Sequence, residues 1–196
     1  MSLPARVLEH PPTRADLDAL PPHIKGEIID GVLYAMTRPR GVHQDVMGVA
    51  YIDVSVPFRR GRGGPGGWWI LPEPGIELPG APEVSPDLAG WRRESLPELP
   101  RDASITVVPD WVCEVLSTST RRYDLQIKRP FYARAGVSHL WIVDPDAMLL
   151  TASVLENGRW SELGVWSEER EAQIPPFDAV TIDVSAWWPP APAAER

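Results

Sequence analysis

The stretch PDWVCEVLSTSTRRYDLQIKRPFYARAGVSHLWIVDP, Pro109–Pro145, decides how this chain folds. Residues Val107–Ser117 are apolar except for Asp110, Glu114 and the closing Ser117, so they read as a central strand buried on both faces. Ser117, Thr118, Ser119 and Thr120 offer helix caps. The helix that follows carries Asp124, Lys128 and Tyr132 on one face at i, i+4 and i+8. Pro130 lies inside it and predicts a kink, and Gly136 suits its C-terminal cap. His139–Asp144 (HLWIVD) is a second buried strand. The strand–helix–strand unit from Trp111 to Val143 has the length of a parallel crossover.

Outside this unit the signals are shorter. Upstream, Thr13 caps a short helix reaching Leu20. Glu27–Met36 reads as two strands around an Asp30-Gly31 turn, with the end of a short helix an alternative place for Glu27. His43–Phe58 has helical spacing at Val46, Val49, Ala50 and Val54 and ends at Pro57 and the glycine run. Trp68–Leu71 and Ile76–Leu78 flank a Pro-Gly turn, and Val84–Gly90 holds the first Pro-Asp pair. Downstream, Thr151–Leu155 and Arg159–Val165 form a hairpin around Asn157-Gly158. Val180–Val184 is a candidate edge strand. The expected fold class is α/β (α+β): a mixed central β-sheet flanked by helices, with extra hairpins. Residues 1–188 are expected to form one domain and residues 189–196 a flexible tail rich in Pro and Ala.

Composition narrows the function. The chain has 196 residues, 23 prolines and 15 glycines, which favours short elements and many turns. One cysteine excludes an internal disulfide, and with four histidines it argues against structural zinc. No apolar run nears the ~20 residues of a membrane span, and no signal peptide is evident, so a cytoplasmic location and no membrane partner are expected. The net charge of −8 argues against a nucleic-acid coat protein but not against an enzyme whose carboxylates hold cations. Gly61, Gly63 and Gly66 match GxGxxG in spacing. A helix precedes them and a strand follows, the reverse of a dinucleotide fingerprint, so no nucleotide cofactor is expected.

Glu114 carries most of the chemical information. A carboxylate inside a buried strand is costly unless paired or bound to a metal. A structural ion pair with Lys128 or an arginine would also account for it. Two Pro-Asp pairs compete as partners. Asp110 lies on the same strand, ~13 Å from Glu114 at ~3.3 Å per residue, too far to share a Mg2+ that binds each ligand at ~2.1 Å. Asp87 can occupy a neighbouring strand ~4.8 Å away, which makes it the better partner and leaves Asp110 at the start of the strand. Lys128 can reach back over Glu114, orient a water and stabilise charge on phosphorus; a surface pair with Asp124 is its plain alternative. Tyr132 supports Lys128 or packs. His43, with Gln44, is a cleft contact to DNA or water, or a partly exposed polar residue. Trp91 could stack on a base. Arg38, Arg40, Arg121 and Arg122 are candidate phosphate contacts.

Three blocks, GluIleIleAspGlyValLeuTyrAlaMet at Glu27–Met36, SPDLAGW at Ser85–Trp91 and the long Pro109–Pro145 segment, together resemble a bacterial restriction-endonuclease-like family of the PD-(D/E)XK superfamily. The resemblance spans roughly residues 12 to 185. It implies a nuclease core, hydrolysis of DNA phosphodiesters, a Mg2+ or Mn2+ ion and a possible homodimer. Carried over by motif, Asp87 is the aspartate of PD, Glu114 the acidic residue of (D/E)XK, and both are metal ligands. Glu27 matches an N-terminal catalytic glutamate. Leu116 stands where the motif has lysine, and the resemblance moves that catalytic role to Lys128. A catalytically silent nuclease fold serving as a binding or regulatory module is the alternative; the −8 charge and the displaced lysine favour it.

Overall fold

The computed structural model describes residues 5–6, 8–37, 41–101 and 104–190. Its centre is the crossover expected from Pro109–Pro145. Strand β8 (Trp111–Val115) is buried along its whole length and pairs in parallel with β9 (His139–Asp144), Glu114 lying level with Ile142. The connection between them is one composite helix: α3 (Arg121–Tyr123), a π-helical turn over Asp124–Lys128, and α4 (Arg129–Ala135). Pro130 supplies no N–H to the preceding turn, and its ring crowds the carbonyl four residues back. The wide π turn just upstream, closed by Arg129 N–H to the Asp124 carbonyl, accommodates it. Gly136 ends the helix at φ 86°, a left-handed conformation that suits glycine.

Two sheets are built around this unit. Upstream lie β1 (Ala5–Arg6), α1 (Arg14–Asp18), β2 (Ile24–Ile29), β3 (Val32–Thr37), α2 (Val42–Val54), β4 (Trp68–Pro72), β5 (Ile76–Leu78), β6 (Ala81–Val84) and β7 (Leu88–Arg92); downstream are β10 (Leu149–Glu156) and β11 (Arg159–Trp166). One sheet runs β11-β10-β9-β8-β7-β4 and is antiparallel except at β8–β9; the other runs β1-β3-β2-β6-β5. The mixed α+β class therefore holds, and the Glu27–Met36 and Asn157-Gly158 hairpins form as their turn residues dictate, Asn157 and Gly158 both taking positive φ.

Two local expectations change. Trp68–Leu71 and Ile76–Leu78 do not form a hairpin; β4 pairs with β7 and β5 with β6, in different sheets. Within Val84–Gly90, Pro86 cannot donate to a ladder, and the chain leaves one sheet at β6 and enters the other at β7. The two segments that cross between sheets are tied together, Glu73 N–H donating to the Asp87 carbonyl at 2.9 Å. Val180–Val184 adds no strand to a sheet: Ala172 and Ile182 make an isolated bridge, followed by a 3-10 turn at Val184–Trp187.

Alternation along β8 feeds two cores. Trp111, Cys113 and Val115 face a cluster with Val46, Ala50 and Val54 of α2 and with Phe177 and Trp187. Val112 faces the other side, with Tyr123, Phe131 and Tyr132 of the crossover helix and Ile29, Ile76 and Val84 of the second sheet. Cys113 is thus a buried core thiol facing away from Glu114, as strand alternation predicts. Gly90 fits where it does because a Cβ there would lie 2.9 Å from Ile70 Cδ1 and 3.1 Å from the Trp111 ring. Gly90→Val is expected to destabilise the protein by about 1–3 kcal/mol by overpacking. A urea midpoint equal to that of the parent would contradict this.

Candidate active site

Antiparallel register, not sequence distance, brings the first carboxylate to the second. Leu88 pairs with Cys113 and Ala89 with Val112. Continuing one step past the end of β7 sets Asp87 level with Glu114, as the Asp87-over-Asp110 choice requires. Asp87 Oδ2 accepts the Val115 N–H at 2.8 Å and lies 3.1 Å from His43 Nε2. Asp110 is elsewhere, at the start of β8, where it accepts the Arg92 N–H at 2.8 Å and the Ser95 hydroxyl at 3.1 Å.

Glu114 shares its buried face with Lys128. The Lys128 ammonium is 2.6 Å from Glu114 Oε1, and the Tyr132 hydroxyl donates to the same oxygen at 2.6 Å. Lys128 also stands 3.5 Å from Glu27 Oε1 and donates to the Ser85 carbonyl at 3.3 Å. The surface pair with Asp124 does not exist. Both residues are buried, because the π turn rolls them inward together, and Asp124 turns its side chain to Thr120. Glu27 sits in β2 rather than at a helix end, fully buried; its Oε2 accepts the Tyr123 hydroxyl at 2.7 Å. Its Oε1 takes no hydrogen bond, although the Lys128 and Lys25 ammonium groups approach to 3.5 and 3.7 Å.

Glu27, Asp87, Glu114 and Lys128 therefore converge on one cleft of about 550 Å3, together with Lys25, His43, Asp124 and the hydroxyl-rich turn Ser117–Thr120. Electrostatics follow from burial. Glu114 is pushed up to about 7 by burial, with repulsion from Asp87 and Glu27 working in the same direction and Lys128 against it. Burial also pushes Asp124 well up, reinforced by Glu114. Burial opposes ionisation of Asp87 too, but the hydrogen bond and charge of His43 outweigh it and hold Asp87 below the usual aspartate value. Lys128 gains more from the surrounding carboxylates than it loses by burial and stays charged.

The remaining expected residues divide. His43 is not a partly exposed contact: it is buried against Asp87, since it occupies the same inward stripe of α2 as Val46, Ala50 and Val54. Trp91 cannot stack on a base, being fully buried with its indole N–H donated to the Val107 carbonyl at 2.9 Å. Arg121 is half-exposed and paired with Asp144, and Arg122 donates to Gln126 Oε1 at 2.8 Å. Arg38 and Arg40 lie outside the described residues. Lys25 and Tyr123 are site residues that the sequence reading did not single out. Lys25 donates to the Ser85 carbonyl at 2.9 Å and to Glu73 Oε1 at 3.3 Å. Its signal was period-two spacing from Glu27 on β2, which puts both on one face.

A divalent ion would find two carboxylates here. Among the described residues, no group of three or more His, Cys, Asp or Glu side chains is placed to hold a metal together. Asp87 and Glu114 nevertheless each keep one oxygen, Oδ1 and Oε2, that accepts no hydrogen bond from the described residues. That donor set fits Mg2+ or Mn2+, since Mg2+ keeps several waters and is held by one or two carboxylates. It does not fit zinc, which prefers nitrogen and sulfur ligands. Among the described residues no helix is long and apolar enough to cross a membrane.

Comparison with known proteins bears on the fold and the family. A crystal structure from Anabaena variabilis ATCC 29413, titled a "putative nuclease belonging to DUF820", superposes with a TM-score of 0.71 at 18% identity, covering 91% of this chain and 98% of that one. At that identity the match establishes the fold. No curated protein matches the chain. The Uma2 family model, described as "Putative restriction endonuclease", matches residues 14–185, nearly the whole chain and all of the cleft, so the protein belongs to the Uma2 family.

Proposed function

We propose that the protein is a metal-dependent endonuclease that hydrolyses DNA phosphodiester bonds in the cleft between Asp87, Glu114 and Lys128. The observation that carries this reading is the convergence of the two carboxylates and the lysine, with a free oxygen left on each carboxylate. Asp87 Oδ1 and Glu114 Oε2 would hold Mg2+ or Mn2+, which when bound lowers the pKa of a coordinated water and neutralises charge on a phosphate. Four carboxyl groups, Glu27, Asp87, Glu114 and Asp124, face the cleft with the ammonium groups of Lys25 and Lys128, and a bound cation would favour ionisation of those that burial holds up.

The residues of the chain divide the remaining work. Lys128 is the one cleft ammonium in direct contact with Glu114, so it faces the place where phosphate charge would develop, and it can hold a water or a phosphoryl oxygen there. Glu27 draws Lys128 toward the floor of the cleft, and the Tyr132 hydroxyl fixes the Glu114 carboxylate. The Ser117–Thr120 turn and Arg121 stand at the rim, where hydroxyl and guanidinium groups contact a phosphate backbone without reading bases. Against the silent scaffold, the displaced lysine weighs less, because Lys128 reaches Glu114 from the crossover helix at 2.6 Å.

The test is nicking of supercoiled plasmid with Mg2+, with Mn2+ and with EDTA, by the parent protein, Glu114→Gln and Lys128→Ala. Metal-dependent nicking by the parent alone supports the reading, and equal activity in all three sinks it. Binding of the ion should also follow pH. The Glu114 carboxyl, pushed up to about 7, must lose its proton to ligate. Mn2+ affinity is therefore expected to fall about tenfold per pH unit below that value and to level off above it. Calorimetric titration at pH 6 and pH 8 checks this, and equal affinities would remove Glu114 from the ligand set.

A further inference from the structure

His43 is buried, lines the cleft and has no role in the motif that places the acidic residues. Its Nε2 lies 3.1 Å from Asp87 Oδ2, and its Nδ1 is buried without a hydrogen-bond partner. A carboxylate oxygen only accepts, so the Nε2 that meets it carries a hydrogen and donates. The same Oδ2 also accepts the Val115 N–H at 2.8 Å. One oxygen of the carboxylate is thus held by two N–H groups from different elements, α2 and β8, while the other is held by none among the described residues.

We propose that His43 is a positioning residue for Asp87, fixing its carboxylate so that Oδ1 alone is presented to the cleft cation. The proposal rests on the metal-dependent reading of the cleft. Asp87 needs such a device. It lies in the Ser85-Pro86-Asp87 joint between the two sheets, beyond the last ladder pair of β7, so no strand pairing fixes its side chain. The backbone of the joint is clamped separately, Lys25 and Lys128 both donating to the Ser85 carbonyl. His43 and Val115 do for the carboxylate what the lysines do for the backbone. A small ion that binds carboxylates through one oxygen benefits from having the second oxygen already engaged, because no bond is then given up on binding.

The experiment is calorimetric titration of the full chain with MnCl2 at pH 8, for the parent, His43→Leu and His43→Gln, with thermal unfolding of each. Leucine fills the site without a donor; glutamine restores an amide N–H near the Nε2 position. His43→Leu is expected to raise the Mn2+ dissociation constant about 10- to 100-fold, and His43→Gln to recover to within about threefold of the parent, although leucine is the better core residue. Should His43→Leu not fold, His43→Met gives the same comparison through a more adaptable side chain. Affinity in the donor-less variant within threefold of the parent overturns the positioning role while the nuclease reading stands. So does a glutamine variant as weak as leucine. A parent that binds no Mn2+ overturns both.

Discussion

Glu114→Gln is expected to reduce metal-dependent nicking by about 10^3-fold or more while leaving the fold intact. The amide has the shape of the carboxylate and can still accept the Tyr132 hydroxyl that now reaches Oε1 at 2.6 Å. What it lacks is the charge. Losing one of two anionic ligands removes several kcal/mol of interaction with a divalent ion, and about 4 kcal/mol corresponds to a thousandfold in rate. Stability should fall at pH 8, because the buried Lys128 ammonium loses its 2.6 Å partner and keeps Glu27 at 3.5 Å. Part of that loss is offset, because burial already opposes ionisation of Glu114 and a neutral amide avoids that cost. The variant therefore separates chemistry from folding, which a truncation would not. Rates are compared at saturating Mg2+, with far-UV circular dichroism and a urea melt on the same samples. Nicking within tenfold of the parent would show that Glu114 is a structural carboxylate and that the ion, if any, is held elsewhere.

The residues that could be placed from the sequence are those governed by strand geometry. Glu114 stood out because a charge inside an apolar strand needs a partner, and Lys128 is that partner at 2.6 Å. The ion pair posed as the alternative to a catalytic role is present. Asp87 was separable from Asp110 because two residues four apart on one strand cannot meet, whereas residues on paired strands can. The crossover between β8 and β9 was legible from its two apolar runs and the length between them. What stayed hidden depended on helix pitch and on contacts between sheets. A π turn is set by strain around Pro130, not by an apolar period, so Tyr123 was not expected beside Glu27 or Asp124 beneath the surface. His43 was one step from legible: it continues the Val46, Ala50, Val54 stripe toward the helix start, but a histidine is not counted in an apolar pattern. The two-sheet arrangement turned on Pro86, whose missing N–H ends the ladder just before the aspartate that matters.

This joint also explains why the acidic cluster is stable. Lys25 and Lys128 reach the Ser85 carbonyl and Glu27 from opposite elements, β2 and the crossover helix, so each ammonium neutralises a carboxylate and holds the joint at once. Lys25 is the more dispensable of the two, since its longer contact to Glu27, 3.7 Å, is shared with Glu73 at 3.3 Å.

Lys128→Met is expected to cost about 3–5 kcal/mol of stability at pH 8.5, because removing one partner from a buried pair leaves charge uncompensated. Methionine replaces the aliphatic stem, so the loss is one of charge more than of packing. Among the described residues, Glu27 would keep Lys25 as its ion-pair partner, at 3.7 Å, and Glu114 would keep none. The deficit should depend on pH. Glu114 is already raised from 4.5 to about 7 with Lys128 present, and loss of that favourable charge can only raise it further. Between 4.5 and the folded value the folded protein keeps a proton that the unfolded chain has released, so stability falls as pH rises through that window. At pH 5.5 the carboxyl is neutral and the missing ammonium matters less. Urea melts of parent and variant at pH 5.5 and 8.5 measure the difference, which should be larger at the higher pH by about 1 kcal/mol or more. Mn2+ should restore part of the stability at pH 8.5, because the ion supplies the positive charge that the lysine no longer does. Nicking should still fall about 10^2- to 10^3-fold at saturating metal, as expected for loss of a group that stabilises developing charge. A deficit that is the same at both pH values would mean that Lys128 serves packing rather than the carboxylates, and the cleft would then have lost its reason for a buried lysine.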